Sequence, residues 1–192
     1  GKGCRFDSYP GCQYILKIPK EVKSTIEKLE SAGYEAFIVG GCVRDLVLDK
    51  TPKDWDITTN AKPEQIQKVF PDSFYENQFG TVGVKTESKE ESLKVIEVTT
   101  YRIESEYTDK RHPDEIKFAS KIEDDLKRRD FTINALAMDK NGNLTDLFEG
   151  QNDIKNKKIR AVGEPDERFS EDALRLMRAV RLASELDFEI EE

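Results

Sequence analysis

The feature that most restricts how this chain can fold is an apolar run that stops at two adjacent glycines. Ala36–Val39 has the length and composition of a buried strand, and Gly40 and Gly41 end it. Apolar residues then recur at helical spacing, as at Val43 and Leu46. Small residues at a strand-to-helix turn let backbone N–H groups approach a phosphate, and a helix N-terminus favours negative charge. A tight turn without a ligand is the alternative interpretation.

A pair of acidic residues follows this turn. Asp54 and Asp56 stand ten and twelve residues after Arg44, which can add a charge-assisted contact to an anion. Residues two apart in a strand project to the same side, so the two carboxylates are predicted to aim at one point. Like charges held so close repel unless a cation lies between them, and Mg²⁺ prefers oxygen ligands and bridges to substrate phosphates. A solvated acidic turn is the alternative, but it leaves the neighbouring glycine turn unexplained.

A third carboxylate is predicted on a neighbouring strand, in the segment Ile96-Glu97-Val98. An acid that points inward between apolar residues needs a partner, and a metal held by Asp54 and Asp56 would supply one. Glu97 on the solvent-facing side of an edge strand is an equally open interpretation.

The order of patterns along the chain predicts an α+β fold, a mixed sheet with helices packed on it. The strongest helix pattern runs from Ser170, predicted as its cap, to Leu186, with acidic residues in the first turn. Other helices are predicted from Pro19 to Gly33, after Gly41 and from Pro63 to Phe70. Further strands are predicted near residues 55–57, 81–85, 93–99 and 115–118, and a charged loop at residues 102–113.

Composition narrows the class of protein. No apolar run approaches the roughly 20 residues that cross a bilayer, so no membrane association is expected. Three widely spaced cysteines and one histidine predict neither a disulfide partner nor a zinc site, and a cytoplasmic protein with reduced thiols is expected. The formal net charge of −8 is unusual for a protein that binds RNA, because phosphate binding favours an excess of Lys and Arg.

Three segments give the chain a family resemblance. The turn at Gly40–Asp45 with Asp54 and Asp56 resembles the first signature of the class II tRNA nucleotidyltransferase and bacterial poly(A) polymerase family. Residues 128–135, Arg-Arg-Asp-Phe-Thr-Ile-Asn-Ala, resemble its second signature, and residues 171–178, Glu-Asp-Ala-Leu-Arg-Leu-Met-Arg, resemble its amino-acid template helix. The resemblance implies a nucleotidyltransferase palm of the DNA polymerase β type, with a mixed sheet flanked by helices, followed by the first helices of an α-helical neck.

The resemblance also implies how the chain is organised. Residues 1–18 are expected as an irregular N-terminal segment and residues 19–145 as the nucleotidyltransferase head. Residues 146–192 are expected as a connector and the start of the helical neck, including the base-selecting helix, with body and tail domains expected downstream. Asp146 and Gly150 lie where the family has its connector, and structural roles are expected for both.

In this family the paired aspartates hold two Mg²⁺ ions. Asp54 and Asp56 are therefore the predicted metal ligands and, with Glu97, the predicted catalytic carboxylates. One ion would acidify the terminal 3′-hydroxyl of the RNA, and the other would neutralise the leaving pyrophosphate during in-line attack on the α-phosphate. No covalent nucleophile and no histidine base is required.

The first two signatures imply nucleotide-binding residues. Gly41 and Arg44, with Gly40 beside them, match positions that contact the incoming nucleotide. Arg129 and Asp130 match the part that recognises the ribose and so prefers ribonucleotides.

The third signature implies a protein template for the base. Asp172 and Arg175 are three residues apart, so they are predicted on one helix face, where they match the pair that offers hydrogen bonds to the edge of the base. Arg178 and Arg181 continue a predicted basic stripe, and both are predicted to bind nucleotide. A salt-bridged surface helix is the alternative.

The implied function is addition of CCA to the 3′ end of tRNA from CTP and ATP, with release of pyrophosphate. Residues 102–111 resemble the family's mobile loop, whose presence favours CCA or A addition over addition of CC alone. Bacterial poly(A) polymerase or an A-adding tRNA nucleotidyltransferase stays open as an alternative, with a catalytically silent nucleotide-binding module or an acidic interaction domain more distant. The family holds tRNA largely through downstream helices, which fits 13 acidic and 13 basic residues between Lys121 and Arg181.

Overall fold

A computed structural model describes residues 17–77, 80–105 and 115–191. They fall into two compact units. Unit 1 consists of residues 1–100 and 137–145, and unit 2 consists of residues 101–136 and 146–192. Nearly all of the predicted irregular N-terminal segment lies outside the described residues, as do Cys4, Cys12 and most of the predicted charged loop.

Unit 1 begins with helix α1 (Lys20–Ser31), which the sequence predicts. Pro19 stands at its N-cap with an extended backbone, and Val22, Ile26 and Leu29 form its buried face. The chain leaves the helix through Gly33 at φ 90°, a conformation that glycine adopts without strain. The described part of unit 1 also contains β1 (Ala36–Val39), α2 (Gly41–Val47), β2 (Asp56–Thr59), α3 (Pro63–Val69), β3 (Ser73–Asn77), β4 (Thr81–Lys85) and β5 (Val95–Thr100).

The strands form a mixed sheet. Together with β8 (Leu136–Met138) and β9 (Leu144–Asp146), the described strands are arranged in the order β3-β4-β5-β2-β1-β8-β9. β2 and β5 are parallel, whereas β1 is antiparallel to both β2 and β8, and β4 is antiparallel to both β3 and β5. Helix α3 packs on β3, β4 and β5, and α1 and α2 pack on β1. The predicted α+β class, a mixed sheet with flanking helices, is confirmed.

One face of this sheet is the core of unit 1. Ile38, Ile57, Val98 and Val82 are in register on four neighbouring strands, and each is completely buried. Because side chains alternate along a strand, the residues next to them point to the opposite face. That opposite face carries the acidic residues described below.

In unit 2, the described residues form two short sheets and four helices: β6 (Arg102–Ser105), β7 (Glu115–Phe118), α4 (Ile122–Lys127), α5 (Gly150–Lys155), β10 (Lys158–Ile159), α6 (Pro165–Glu171), α7 (Leu174–Leu186) and β11 (Glu189–Ile190). β6 and β7 are antiparallel, and β10 and β11 are parallel. The prediction of a loop from residue 102 is wrong for residues 102–105, because these residues pair with the predicted strand at Glu115–Phe118. Residues 106–114 lie outside the described part of the chain.

Helix α5 is fixed closely against the segment that precedes β8. Asp146 accepts the backbone N–H groups of Gly150 and Gln151, both at 2.9 Å, and so caps the helix. A Cβ on Gly150 would lie 2.3 Å from the backbone oxygen of Thr132. Asp153 accepts hydrogen bonds from Thr132 Oγ1 and, at 3.0 Å, from Arg160 Nε. Asp146 and Gly150 thus have the structural roles expected of them.

The single helix predicted from Ser170 to Leu186 is wrong. The chain forms two helices, α6 and α7, and Asp172 between them has an extended backbone at φ −139° and ψ 107°. Ser170 is inside α6, where its hydroxyl donates to the Glu167 carbonyl at 2.8 Å, and it caps no helix. Instead Asp172 Oδ1 accepts the N–H of Leu174 at 2.8 Å at the start of α7.

Cys42 is buried in α2, where its thiol donates to the carbonyl of Val39 at 3.0 Å. Across the described ranges, none of the helices combines the length and the apolar character needed to cross a lipid bilayer.

Candidate active site

The turn between β1 and α2 requires glycine at one of its two positions. Gly40 has φ 80° and ψ −139°, a conformation that residues with a side chain rarely adopt. Gly41 has no such constraint, since a Cβ there would meet only the Arg44 guanidinium, at 3.5 Å or more. Cys42 and Val43, both buried, fix the helix that follows. The conformation of the turn explains Gly40, and leaves Gly41 to be explained by something else.

Arg44 has a fixed orientation. Its Nε and Nη2 atoms donate to Oδ1 of the adjacent Asp45, at 3.0 and 2.8 Å. Both side chains are largely buried. A charge-assisted pair of this kind holds the guanidinium plane in place, so Arg44 presents its positive charge from a defined position.

The two predicted metal ligands flank the start of β2. The strand begins at Asp56, so Asp54 precedes it, and the prediction that one strand contains both is wrong in this detail. The sheet ladder nevertheless reaches Trp55, whose carbonyl accepts the N–H of Glu97 at 3.2 Å. Trp55 is buried, whereas Asp54 is exposed and Asp56 is half-buried. The alternation that directs both carboxylates away from the core is therefore preserved.

Glu97 lies beside Asp56. The two residues are paired in register on the parallel strands β2 and β5, and Gly83 on β4 is the next residue in the same row. Residues in register share a face of the sheet, so both carboxylates are on the face opposite the apolar core. Glu97 is exposed, contrary to the expectation of an inward acid, but β5 is an interior strand, contrary to the edge-strand alternative. Each interpretation is therefore wrong on one point, and the catalytic role of Glu97 stays a prediction.

The chemistry of this donor set suits a hard divalent cation. Within the described residues, no three or more His, Cys, Asp or Glu side chains are gathered closely enough to form a complete protein cage for a metal. Mg²⁺ is usually held by one or two carboxylates together with water and substrate phosphates, so a complete cage is not needed. Asp54 and Asp56, directed away from the core, are the pair that fits this mode of binding.

Unit 2 contains a second set of predicted site residues, beginning with the pair Arg128-Arg129. Asp125 on α4, fully buried, accepts hydrogen bonds from Arg128 Nε and Nη2 at 3.0 and 2.9 Å and from Arg129 Nη2 at 3.1 Å. Burial raises the pKa of the Asp125 carboxyl, but the charges of Arg128 and Arg129 outweigh it and hold the pKa below its ordinary value. Asp125 is therefore ionised at neutral pH and orients both arginines.

Sequence reasoning did not identify Asp125. The pattern that would have found it is an acidic residue three and four positions before two arginines, at helical spacing.

Two predicted nucleotide residues contact each other. Asp130 Oδ2 accepts a hydrogen bond from Arg178 Nε at 2.7 Å, and Oδ1 accepts the N–H of Phe131 at 2.9 Å. The Asp130 side chain is 9% exposed and that of Arg178 is 47% exposed. The fold of unit 2 thus joins the second signature to helix α7.

The predicted base-reading pair has a different geometry from the one expected. Asp172 lies outside α7, so it does not share a helix face with Arg175. Arg175 is buried, and its Nη1 donates to Glu171 Oε2 at 2.6 Å and to the Arg168 carbonyl at 3.1 Å. The pair is held by the junction between α6 and α7, and the helix spacing from which it was predicted does not apply.

The three arginines of the predicted basic stripe on α7 differ in exposure. The side chain of Arg175 is 7% exposed, that of Arg178 is 47% exposed, and that of Arg181 is 61% exposed. Arg181 lies 3.8 Å from Glu185 at the solvent-exposed end of the series. The three arginines have three separate environments.

Comparison with known proteins gives a consistent result. The model of the family described as the poly(A) polymerase head domain matches residues 36–160. A CCA-adding enzyme of Lactobacillus helveticus is 52% identical over 168 residues, which are 87% of this chain and 41% of that protein.

Solved structures match over similar lengths. The crystal structure of the Bacillus stearothermophilus CCA-adding enzyme in complex with CTP superposes with a TM-score of 0.80 at 42% identity, over 90% of this chain and 40% of the other. The Thermotoga maritima CCA-adding enzyme complexed with tRNA-CCA superposes with a TM-score of 0.73 at 26% identity, over 96% of this chain and 43% of the other. This chain therefore spans about two-fifths of the length of the relatives it matches.

Proposed function

This chain belongs to the family of the poly(A) polymerase head domain, and from that membership we propose that it is the catalytic head of a CCA-adding tRNA nucleotidyltransferase. The reaction is the transfer of cytidylate and adenylate from CTP and ATP to the 3′-hydroxyl of tRNA, with release of pyrophosphate. The names of the relatives and the CTP complex of a 42% identical protein favour this function over addition of adenylate alone.

The observation that carries the proposal is the row of acidic residues on the open face of the sheet. Asp56 and Glu97 are adjacent in register, Asp54 is exposed just before β2, and the Gly40-Gly41 turn ends the neighbouring strand β1. Two carboxylates in register repel each other, and a bound divalent cation offsets this repulsion. Their placement beside the glycine turn supports a cation-binding role.

A divalent metal is the cofactor that this family uses, and we propose two Mg²⁺ ions with Asp54 and Asp56 as protein ligands. When bound, such ions supply Lewis-acid stabilisation of the charge that develops on the phosphates. The carboxylates of Asp54 and Asp56 would bind the metal ions, and Glu97 would add negative charge beside them. No side chain is needed as a covalent nucleophile.

The residues of the glycine turn are proposed to bind the triphosphate. The space around Gly41 would accommodate a side chain, yet the residue has none. This favours a close approach of a ligand to its backbone. Arg44, oriented by Asp45, supplies a positive charge for the phosphates. Gly40 sets the conformation of the turn.

The predicted ribose and base residues of unit 2 are proposed to act through the partners that orient them. Arg129 is held by Asp125, and Asp130 is paired with Arg178. Asp172 and Arg175 would select the base. Asp172 lies at the junction before α7, and Arg175 is held in place by its contact with Glu171. Arg181 would contribute charge from an exposed position.

The remaining assignments follow from the same proposal. Residues 19–145 are the head and residues 146–192 the connector and first part of the neck. The protein acts in the cytoplasm, where its tRNA substrate is processed.

The decisive experiment supplies the full-length protein with tRNA that lacks its terminal CCA, together with Mg²⁺, CTP and ATP, and sequences the 3′ ends of the products. Addition of C, C and A in that order is expected, with no product from the Asp54→Ala variant. A run of adenylates without use of CTP would identify a poly(A) polymerase. Nucleotide binding without any extension would identify a silent binding module.

A further inference from the structure

Asp125, which is not among the predicted site residues, stands at the centre of a buried ion cluster. Its carboxylate is completely buried, yet it accepts hydrogen bonds from two guanidinium groups and the N–H of Arg102 at 3.4 Å. An ionised carboxylate is buried only where cations and donors compensate the loss of water. In this cluster the guanidinium groups of Arg128 and Arg129 share the single carboxylate of Asp125.

The two arginines are bound differently. Arg128 directs Nε and Nη2 to the same oxygen, Oδ1, and so uses two donors on Asp125. Arg129 uses one donor, Nη2, on Oδ2. Its Nε is buried and has no hydrogen-bond partner among the residues that the structure describes. The Arg129 side chain as a whole is 18% exposed, so part of it stays accessible to a ligand while Asp125 holds Nη2.

We propose that Asp125 is a positioning residue for Arg129, and that it fixes the guanidinium so that its remaining donors meet the ribose oxygens of an incoming ribonucleoside triphosphate. Arg128 completes the charge compensation and holds the other carboxylate oxygen. The inference rests on the proposed function, because it assumes that Arg129 contacts the nucleotide. It adds a residue that touches no substrate and acts through another side chain.

A purely structural role for Asp125 makes a different prediction. If the carboxylate only stabilises α4 and the turn after it, its loss lowers the melting temperature and changes all nucleotide complexes alike. If it positions Arg129, its loss changes the preference between CTP and dCTP, which differ only at the ribose. The ratio of the two dissociation constants therefore separates the roles.

The test compares Asp125→Asn, Arg129→Lys and the double variant in the full-length protein, by calorimetric titration with CTP and with dCTP. Each single variant is expected to reduce the preference for CTP about tenfold, which corresponds to one charge-assisted hydrogen bond. The double variant is expected to lose no more than the single variants, because Asp125 acts through Arg129.

Two controls exclude trivial causes. Asp124→Asn makes the same substitution at the adjacent, half-buried position and is expected to keep the native preference. Ile154→Val weakens the buried face of α5, and is expected to lower the melting temperature while keeping the preference. If Asp125→Asn does not fold, Asp125→Glu replaces it, since the longer side chain keeps the charge but displaces the carboxylate.

The outcomes are distinguishable. If Arg129→Lys loses the preference and both Asp125 variants keep it, the positioning role is wrong and the proposed function stands. If Arg129→Lys keeps the preference, the assignment of Arg129 to the ribose fails, and the positioning role fails with it. Whether tRNA is extended is measured separately, so loss of the proposed function shows as absent extension by the native protein.

Discussion

Arg178 Nε lies 2.7 Å from Oδ2 of Asp130, although 48 residues separate the two in the chain. Both belong to signatures that were interpreted separately as nucleotide-binding. Replacement of either residue removes a charge-assisted hydrogen bond from the other. The two side chains therefore form one structural element of unit 2.

The first prediction follows from this pair. Asp130→Asn and Arg178→Met are each expected to raise the KM for CTP about tenfold, because each removes a charge-assisted hydrogen bond that orients the other residue. The KM of the double variant for CTP is expected to be no higher than that of the more impaired single variant. Steady-state kinetics with all four nucleotides measures this, and additive losses would show that the two side chains act independently.

The second prediction concerns the metal-binding pair. Asp54→Asn and Asp56→Asn are expected to reduce incorporation at least a thousandfold, because metal-ion stabilisation of the transition state contributes several kcal/mol. The fold is expected to persist, since Asp54 is exposed and Asp56 is half-buried. Asp72→Asn is the matched control, because Asp72 is exposed and has only an exposed ion pair with Lys85 at 3.5 Å.

Glu97 is tested on the same assay by titration with Mg²⁺. Glu97→Gln is expected to raise the Mg²⁺ concentration for half-maximal rate about tenfold, because it removes a negative charge in register with Asp56. An unchanged Mg²⁺ requirement would show that Glu97 does not contribute to metal binding.

The third prediction separates the two glycines of the turn. Gly40→Ala is expected to destabilise the fold by about 1–3 kcal/mol, because its backbone conformation at φ 80° strains any residue with a Cβ. Gly41→Ala is expected to leave the melting temperature unchanged, because the added Cβ has only ordinary contacts. Its nucleotide affinity is expected to fall. A Gly41→Ala variant that binds CTP normally would contradict the proposed cradle.

The glycine turn and the acidic pair were predictable because their geometry is local. A strand, two glycines and a helix follow one another directly, and the alternation at Asp54 and Asp56 depends on neighbouring residues alone. The break in the last helix was not predictable in this way. The apolar periodicity continues through Asp172, so it does not show that the backbone becomes extended there or that Arg175 is bound to Arg168 and Glu171 across the junction.

The sequence also failed to predict β6 and the role of Asp125, because both depend on contacts that form in the folded chain. β6 forms because its partner β7 lies about ten residues further along the chain, and the charged composition of Arg102–Ser105 does not predict a strand by itself. The spacing of Asp125 from Arg128 and Arg129 was visible in the sequence, but spacing does not distinguish a buried carboxylate from an exposed one. Its burial between the two arginines is a property of the folded chain.

The fourth prediction concerns base selection. Arg175→Ala is expected to reduce discrimination among CTP, ATP, GTP and UTP and also to lower the melting temperature, because the side chain is buried against Glu171 and Arg168. Arg175→Lys keeps a positive charge beside Glu171 but loses the planar guanidinium group and its fixed hydrogen-bond donors. It is therefore expected to recover stability without recovering selectivity. Competition among the four nucleotides measures the first effect, and thermal unfolding measures the second.

The fifth prediction concerns acid stability. The pKa of Asp125 in the folded protein lies below its ordinary value of 3.8, so its ionisation stabilises the fold fully above that pH. The stabilisation is lost as the pH falls below 3.8 through the folded-state pKa. The difference in unfolding free energy between the native protein and Asp125→Asn is expected to stay constant from pH about 7 to about 5 and then to shrink. Urea titrations from neutral pH to below pH 3.8 check it.

The path of the chain between the two units has a practical consequence. The backbone passes from unit 1 to unit 2 after Thr100, returns for Ala137–Thr145, and passes back at Asp146. Simple truncation thus cannot isolate either unit, because a deletion after residue 100 also removes the β8 segment from the sheet of unit 1. Anyone who wishes to study either half alone must rejoin the polypeptide in a new order, with residues 137–145 grafted onto the first hundred.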